Sequence, residues 1–195
     1  MTSPRHQVEA AIAIKPVLDA CCGSRMFWFD RQDSRVVYQD KRQETHSLTD
    51  SSSAGGKRTL VIDPDVVGDF TDMTFDDDTF HMVVFDPPHL VGAGKSGWLA
   101  KKYGTLGAHW EDEIRAGFRE CFRVLKPHGT LIFKWNEHCI PVSAILALTP
   151  HRPLVGNRCG RHSKSHWIVF MKDMPQPALT ILRAECAGIL RGDET

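Results

Sequence analysis

The amino-acid sequence predicts an α/β fold in which a doubly wound, mostly parallel sheet carries helices on both faces. Apolar runs of strand length alternate with segments of helical periodicity, which is typical of repeated strand–helix–strand units. Several of these runs end in an aspartate, and such sheets bind ligands at the carboxyl ends of their strands. The chain has 195 residues, enough for one domain with a full core. We therefore predict a single domain (1–195), with its core at 14–171 and a C-terminal tail at 174–195.

The first half of the chain predicts short strands separated by turns and loops. A polar arm at 1–13 leads into a short helix, and the small residues at 21–24 suit a tight turn after the first strand. Serine and glycine clusters within 41–59 predict a helix fragment and a flexible surface loop. The other predicted elements are strands at 14–20, 35–40, 60–62 and 66–70, a short helix at 25–32 and an acidic turn at 71–80.

A central strand is predicted at 81–86, where a nearly continuous apolar run stops at two prolines. Prolines cannot continue the ladder of hydrogen bonds, and the first of them biases Asp86 toward an extended backbone. Asp86 should therefore lie at the carboxyl end of this strand. Asp86 and the carbonyl of Pro87 are two acceptors, and His89 is a flat ring. Together these groups suit a planar molecule that carries an NH2 group, such as a nucleobase with an exocyclic amine.

The clearest helix in the sequence is predicted at 110–126. Its apolar residues recur at helical spacing, and the segment 127–129 (Pro-His-Gly) ends it. The segment 91–107 is irregular apart from a helix predicted at 98–103. The remaining predicted elements are strands at 130–135, 154–158 and 166–171, the late ones open to an antiparallel arrangement, a helix at 141–148 that starts with a proline, and a helical pattern at 178–190.

The segment Asp86-Pro87-Pro88-His89 resembles the Asp-Pro-Pro-aromatic motif of amino-methyltransferases that depend on S-adenosylmethionine (SAM). In that family the motif holds the target amine in line with the methyl sulfonium. The resemblance implies catalytic roles for Asp86, Pro87 and His89, and a Rossmann-like class I methyltransferase fold. Residues 90–109 offer a loop where DNA methyltransferases usually add a recognition domain. The compact chain is similar to small stand-alone methyltransferases of phages and prophages.

The resemblance extends over most of 14–171 and implies SAM as the cofactor. The segment Asp19-Ala20-Cys21-Cys22-Gly23 is similar to the turn under the methionine part of SAM, although Cys21 and Arg25 stand where glycines are common. Asp40 follows Asp19 by about 20 residues, the spacing of an acid that bonds the ribose hydroxyls.

The segment at 68–73 is similar to the one that holds the adenine of SAM in this family. The match implies that the Asp69 carboxylate takes the adenine amine and that the Phe70 backbone N–H faces a ring nitrogen. The cofactor-binding residues implied by the resemblance are therefore Asp19, Cys21, Gly23, Asp40, Asp69 and Phe70.

Other patterns in the sequence point away from metal and phosphate chemistry. The six cysteines have no zinc spacing and are interpreted as free thiols. His162 and His166 are four residues apart, which suits a metal only in a helix, and we expect no metal site. The segment Gly92-Ala93-Gly94-Lys95-Ser96 is similar to a phosphate-binding loop, but His89 stands where that loop needs a glycine.

Net charge and hydropathy limit which partners and which cellular compartment the sequence predicts. The formal net charge is +0, which argues mildly against tight, unaided binding to nucleic acid. Lys95, Ser96, Lys101 and Lys102 are candidates for contact with substrate phosphates, and Trp98 and Tyr103 for stacking on bases. Trp28 and Trp135 are interpreted as packing residues. No apolar run approaches the roughly 20 residues of a membrane span, and 1–7 lacks the apolar core of a signal peptide. We therefore predict a cytoplasmic protein.

The residues and the resemblance together predict a SAM-dependent methyltransferase that acts on a planar amine, foremost the exocyclic amine of a nucleobase in DNA. Two alternatives remain open. One is a methyltransferase of the same fold that acts on RNA or a small molecule, which the neutral charge favours. The other is a non-catalytic SAM-binding subunit, which the altered turn after Asp19 favours. Sequence recognition would be short and loose, or a homodimer or a recognition partner would supply it.

Overall fold

The computed structural model describes residues 15–49, 56–92, 97–160 and 163–173. The predicted N-terminal arm and C-terminal tail lie outside these residues, as do most of the serine- and glycine-rich loop, His162, and the candidate phosphate contacts Lys95 and Ser96.

Nine strands are found among the described residues. They are β1 (Val17–Asp19), β2 (Val36–Asp40), β3 (Glu44–Thr49), β4 (Lys57–Ile62), β5 (Val66–Val67), β6 (Phe80–Phe85), β7 (Leu125–Asn136), β8 (Val155–Arg158) and β9 (Ser165–Met171). Seven of them form one sheet in the order β5-β2-β1-β6-β7-β9-β8. The first five strands of that order run parallel, and β9 runs antiparallel to both of its neighbours. The predicted parallel sheet with antiparallel late strands is confirmed.

The strand order reverses between β1 and β6. The chain moves outward from β1 to β2 and β5, then returns to the other side of β1 as β6. The register pairs Asp19 of β1 with Tyr38 of β2 and with Val84 of β6. Asp40 and Asp86 each lie two residues beyond that level, so they flank the end of β1 at one edge of the sheet. Ligands of open α/β sheets bind at such a reversal.

Three helices are described: α1 (Trp98–Tyr103), α2 (Trp110–Val124) and α3 (Val142–Leu146). All three agree with predicted helices, although α2 and α3 are slightly shorter than predicted. The apolar face of α2 is buried, and Val124 is followed directly by the first residue of β7. Acidic side chains fill the first turn of α2 and Arg123 lies in its last turn, which suits the helix dipole.

The main core lies between the sheet and the helices α2 and α3. Phe118 of α2 and Ile145 of α3 belong to the same buried cluster as Phe85, Phe133 and Phe170 of the sheet. Side chains alternate across β2, so Val37 enters this cluster whereas its two neighbours face the opposite side of the sheet. There a smaller cluster of Cys22, Val36 and Tyr38 packs against Val17 and Trp28.

The helix predicted at 25–32 is wrong, because this segment forms a series of turns. Arg25 adopts a left-handed backbone with φ of 54°, which a right-handed helix does not accommodate. Its guanidinium donates a hydrogen bond to the carbonyl of Arg31 at 2.7 Å, so a side chain joins the two ends of the segment.

The helix fragment predicted within 41–59 is also wrong. The described residues there form an antiparallel hairpin of β3 and β4, which pairs Glu44 with Ile62 and Thr49 with Lys57. In β4 the side chains of Leu60 and Ile62 are buried while Val61 between them is exposed, which is the period of a strand. The serine and glycine clusters nearby made this alternation hard to recognise in the sequence. The strand predicted at 66–70 is shorter than expected, since β5 ends at Val67.

Candidate functional site

The edge of the sheet at the strand reversal forms a narrow cleft. Its lining includes Cys21, Gly23, Asp40, Phe70 and Asp86, all of which the sequence analysis assigned to a site. The cleft has a volume of about 50 Å³. The other predicted residues lie around it: Asp19 is buried below the cleft, Asp69 lines an adjoining cavity, and Pro87 and His89 follow Asp86.

The turn after β1 depends on a glycine and an arginine. Gly23 has φ of 50° and its N–H donates to Asp40 Oδ2 at 2.9 Å. A Cβ atom added at Gly23 would come near only Arg42, at 3.9 Å, so this stretch of backbone leaves space for a ligand. Arg25, where the resemblance leads one to expect glycine, adopts a glycine-like φ of 54°. Its guanidinium lies 3.8 Å from the centre of the Tyr38 ring, which holds the residue in that conformation.

Asp19 supports the turn from below. It is fully buried and accepts hydrogen bonds from the Cys21 N–H at 3.3 Å and from Trp28 Nε1 at 2.7 Å. Burial raises the pKa of Asp19 to about 7, although these two hydrogen bonds lower it. Trp28 packs on Tyr38 as predicted, with ring centres 5.4 Å apart, and also positions this acid. Burial raises the pKa of the Cys21 and Cys22 thiols, so neither cysteine is a ready nucleophile.

Asp40 is held by Arg42, a residue that the sequence analysis missed. The Arg42 backbone N–H and Nε donate to Asp40 Oδ1 at 2.9 and 3.1 Å. Arg42 Nη1 donates to the carbonyl of Lys101 at 3.0 Å. One side chain therefore links the end of β2 to α1 across the cleft. The only sequence signal was a basic residue two positions after a strand-end acid.

Asp69 faces a wider cavity of about 570 Å³, lined also by Thr71, Leu106 and Glu113. Its Oδ1 accepts from the N–H and the hydroxyl of Thr71 at 3.0 and 2.9 Å, and 43% of the side chain is exposed. Lys41 lines this cavity as well as the narrow cleft, so the two adjoin.

The ring of Phe70 belongs to the core. The side chain is buried, and its ring centre lies 5.3 Å from that of Phe85. The role that the resemblance implies for the Phe70 backbone N–H stays a prediction.

Asp86 pairs with Lys134, a second residue that the sequence analysis missed. Lys134 Nζ donates to Asp86 Oδ2 at 2.5 Å. Burial raises the pKa of Asp86, and the charge and hydrogen bond of Lys134 oppose that rise. The register pairs Phe85 with Phe133, so the next residues of the two parallel strands stand side by side. A lysine in the apolar run of β7 was the available signal, but its partner depends on that register.

Aromatic rings surround this ion pair. Lys134 Nζ lies 5.8 Å from the ring centres of both Phe27 and Trp167, and those rings meet edge to face at 5.5 Å. The His89 ring is 5.3 Å from that of Tyr103. Burial, aided by the charge of Lys134, lowers the pKa of His89 to about 4, so its ring is neutral near pH 7. Trp135, interpreted as a packing residue, is fully buried.

The described residues offer no cluster of three or more His, Cys, Asp or Glu side chains that could hold a metal ion. Within the same residues, none of the helices has the length and apolarity to cross a membrane.

The strand order, the antiparallel β9 and the cleft at the strand reversal define the Rossmann-like fold of class I SAM-dependent methyltransferases, as predicted. The PH0226 protein of Pyrococcus horikoshii OT3 is 17% identical, with 80% of this chain and 81% of that chain covered and a TM-score of 0.51. A SAM-dependent methyltransferase of Methanosarcina mazei is 12% identical over 89% of this chain and 99% of that one, with a TM-score of 0.50.

The N-methyltransferase NodS of Bradyrhizobium japonicum WM9 is similar over 87% of this chain and 95% of that one, with 11% identity and a TM-score of 0.50. At these identities the likeness establishes the fold alone. No protein-family model matches the chain, and no curated protein matches its sequence.

Proposed function

We propose that this protein is a SAM-dependent methyltransferase that methylates a planar nitrogen, foremost the exocyclic amine of a nucleobase in DNA. One observation carries the proposal. The segment Asp86-Pro87-Pro88-His89 follows the central strand β6 directly, and Asp86 lines the same cleft as Gly23 and Asp40 in a methyltransferase fold. The acceptors for an amine thus lie beside the turn that would hold the methyl donor.

The residues present fit SAM. The open backbone at Gly23 leaves room for its methionine part, and Asp40 in the cleft would bond the ribose hydroxyls. The roughly four acceptor positions of the Asp40 carboxylate receive the Gly23 N–H and three donors of Arg42, so the ribose would replace donors of Arg42. Asp69, with its exposed carboxylate in the wider cavity, and the Phe70 backbone would hold the adenine. When bound, SAM supplies an electrophilic methyl group.

Asp86 and the carbonyl of Pro87 would orient the amine for in-line attack. Both are acceptors, so they bond an NH2 group and leave its nitrogen lone pair directed at the donor. The prolines hold this segment stiffly, because proline fixes φ. Correct positioning of two reactants is worth about 7–11 kcal/mol. Covalent attachment of the substrate to the protein is not needed.

Lys134 would keep Asp86 ionised until the nitrogen gives up its proton. Burial favours the neutral form of Asp86, whereas the ammonium 2.5 Å away favours the carboxylate. When the nitrogen gains a methyl group it must lose one proton, and Asp86 is placed to take it or to pass it to solvent. A buried acid with a raised pKa is suited to that task.

The neutral ring of His89 would stack on the acceptor base. The rings of Phe27 and Trp167 lie 5.8 Å from Lys134 Nζ, and Phe27 and Tyr103 line the cleft, so aromatic surface is present near Asp86. A base within a duplex would have to flip out, at a cost of a few kcal/mol. Aspartate rather than asparagine at position 86 favours DNA over RNA by resemblance. A homodimer or a recognition partner would supply sequence recognition beyond what this chain contributes.

The altered turn after Asp19 favours a non-catalytic SAM-binding subunit as another candidate. Two features support the enzyme instead: Arg25 adopts the backbone conformation that a glycine would take, and Gly23 leaves room for a ligand. The neutral net charge still favours an RNA or small-molecule acceptor as the second candidate.

Methyl transfer from radiolabelled SAM to duplex DNA, single-stranded DNA and total RNA tests the proposal. We expect label in DNA with the wild type and with Asp112→Ala, an exposed acid on α2, and none with Asp86→Ala. Digestion of the product to nucleosides would identify the base. Label only in RNA would favour the second candidate, in which the acceptor is RNA. SAM binding without transfer to any nucleic acid would contradict a nucleobase acceptor.

A further inference from the structure

A third cavity, which the proposed reaction does not use, lies between the hairpin, α1 and the turn segment after β1. Its volume is about 190 Å³. The residues that line it are Ser24, Met26, Arg31, Arg58, Thr59, Leu60, Val61, Trp98 and Lys102. The hairpin of β3 and β4, which the sequence analysis did not predict, forms one wall.

The charge of this cavity is positive. Among the residues that the structure describes, its lining includes Arg31, Arg58 and Lys102 and no carboxylate, although the chain as a whole has a formal net charge of +0. Guanidinium groups match phosphate oxygens with paired hydrogen bonds, and lysine adds a compact charge. Cations collected from three separate segments of the chain therefore favour an anionic ligand.

The same cavity presents apolar and aromatic surface next to these cations. Trp98 is 36% exposed, and Met26 and Val61 are also exposed. Lys102 Nζ lies 5.4 Å from the Trp98 ring centre. An exposed tryptophan beside cations is the combination with which proteins bind single strands, by stacking on bases and contacting phosphates.

The cavity adjoins the reaction cleft. Ser24, Met26 and Lys102 line both of them, and Asp86 lines the cleft. A nucleotide whose base reached Asp86 could therefore direct its backbone past these three residues toward Arg31.

We propose that this cavity binds the phosphodiester backbone and a flanking base of the nucleic acid strand that carries the target base. The inference rests on the proposed function, because it takes the acceptor to be part of a nucleic acid. Arg31 and Lys102 contact the phosphates of the strand, and Trp98 stacks on the neighbouring base. The hairpin thus serves as the substrate-binding element that a separate recognition domain supplies elsewhere.

Fluorescence anisotropy of a labelled single-stranded DNA oligonucleotide over a series of salt concentrations tests this inference. Each lost phosphate contact lowers the slope of log K against log salt by about 0.7 for a single strand. We expect the variant Arg31→Gln/Lys102→Gln to lose about 1.4 of that slope. The matched control is Arg35→Gln/Lys126→Gln. These cations lie at the amino ends of β2 and β7, at the opposite edge of the sheet, and their loss should leave the slope unchanged.

Trp98→Ala should weaken DNA binding about 5- to 160-fold with no change in slope, as expected for a lost stack worth about 1–3 kcal/mol. An RNA of the same sequence distinguishes the two kinds of strand, and inorganic phosphate as competitor excludes a site for free phosphate. Equal slopes for the double variant and its control would overturn the inference, even if DNA methylation itself were observed. A wild type that methylates no nucleic acid would instead remove the proposed function.

Discussion

His89 is the residue whose proposed role is most specific to the acceptor. Its ring is neutral near pH 7 because burial lowers its pKa to about 4, so it can stack without adding charge. We expect His89→Phe to retain methyl transfer, since phenylalanine keeps a flat ring. His89→Ala should lower kcat/KM about 5- to 160-fold, as expected for a lost base–aromatic stack of about 1–3 kcal/mol. Steady-state kinetics on the DNA substrate checks both variants, and equal losses would exclude stacking.

Asp19 links the turn of the site to the pH dependence of stability. Its pKa is about 7 in the folded protein and 3.8 in the unfolded chain. Because the folded pKa is raised, the stability that Asp19 contributes is fully present below 3.8 and is lost as pH rises through about 7. At about 1.4 kcal/mol for each pKa unit, the loss amounts to about 4 kcal/mol.

We therefore expect Asp19→Asn to gain stability relative to the wild type as pH rises across that window. Urea unfolding of both proteins at several pH values measures the difference in free energy of unfolding. Asn at this position still has one oxygen to accept from Trp28 Nε1. A difference that does not change with pH would contradict the raised pKa.

The sequence identified the acids of the site more readily than the partners of those acids. Asp40 and Asp86 each end an apolar run, so their places at the sheet edge followed from the pattern. Arg42 and Lys134 could not be assigned in that way. The partner of Lys134 depends on the register of β6 and β7, and the contact of Arg42 with α1 depends on a loop of irregular sequence.

At the scale of elements, α2 is positioned by a glycine that faces the core. A Cβ atom at Gly117 would lie 2.6 Å from Phe85 and 2.8 Å from Phe70. These phenylalanines directly precede Asp86 and follow Asp69. The close approach of α2 therefore fixes the two segments that carry these acids of the proposed site.

Gly117→Ala should destabilise the protein by about 1–3 kcal/mol through overpacking, even though alanine is the better helix former. It should also lower methyl transfer, because the displaced rings adjoin the site. Arg119→Ala, on the exposed face of the same helix, should change the free energy of unfolding by less than about 0.5 kcal/mol. Thermal and urea unfolding provide the comparison. A stabilised Gly117→Ala protein would show that the helix can shift freely.

The elements that the sequence predicted correctly are those with a strong period or a sharp end. The helix α2 and the strands β6 and β7 are of that kind. The helix expected at 25–32 failed because a single side chain, that of Arg25, replaces helical hydrogen bonds with contacts to distant carbonyls. The hairpin of β3 and β4 was missed because its stabilising pairs join residues on both sides of a serine- and glycine-rich loop.

At the scale of the whole molecule, Arg42 connects two parts of the fold that meet only across the cleft. It bonds Asp40 of β2 and the carbonyl of Lys101 in α1. Ligand pockets are typically about 300–1,000 Å³, whereas this cleft has about 50 Å³. Outward movement of α1 would widen the cleft for SAM, and Arg42 opposes that movement.

Arg42→Ala should loosen α1 without unfolding the core. We expect faster hydrogen exchange at the amides of Trp98–Tyr103, with unchanged protection in α2. Arg115→Ala, which removes an exposed ion pair with Asp112 on α2, is the matched control. Hydrogen exchange followed by mass spectrometry reports on each peptide separately. Unchanged exchange in α1 would mean that contacts other than Arg42 hold this helix in place.

Arg25 has a consequence for how this architecture is recognised in other genomes. A signature that demands glycine throughout the first turn would pass over any chain in which an arginine adopts the left-handed backbone. The compensating features are scattered: the carbonyls of Arg31 and Asp63 accept from the guanidinium, and the Tyr38 ring lies beneath it. A search pattern that joins those positions, rather than one that counts glycines, would retrieve chains that build the turn in this second way.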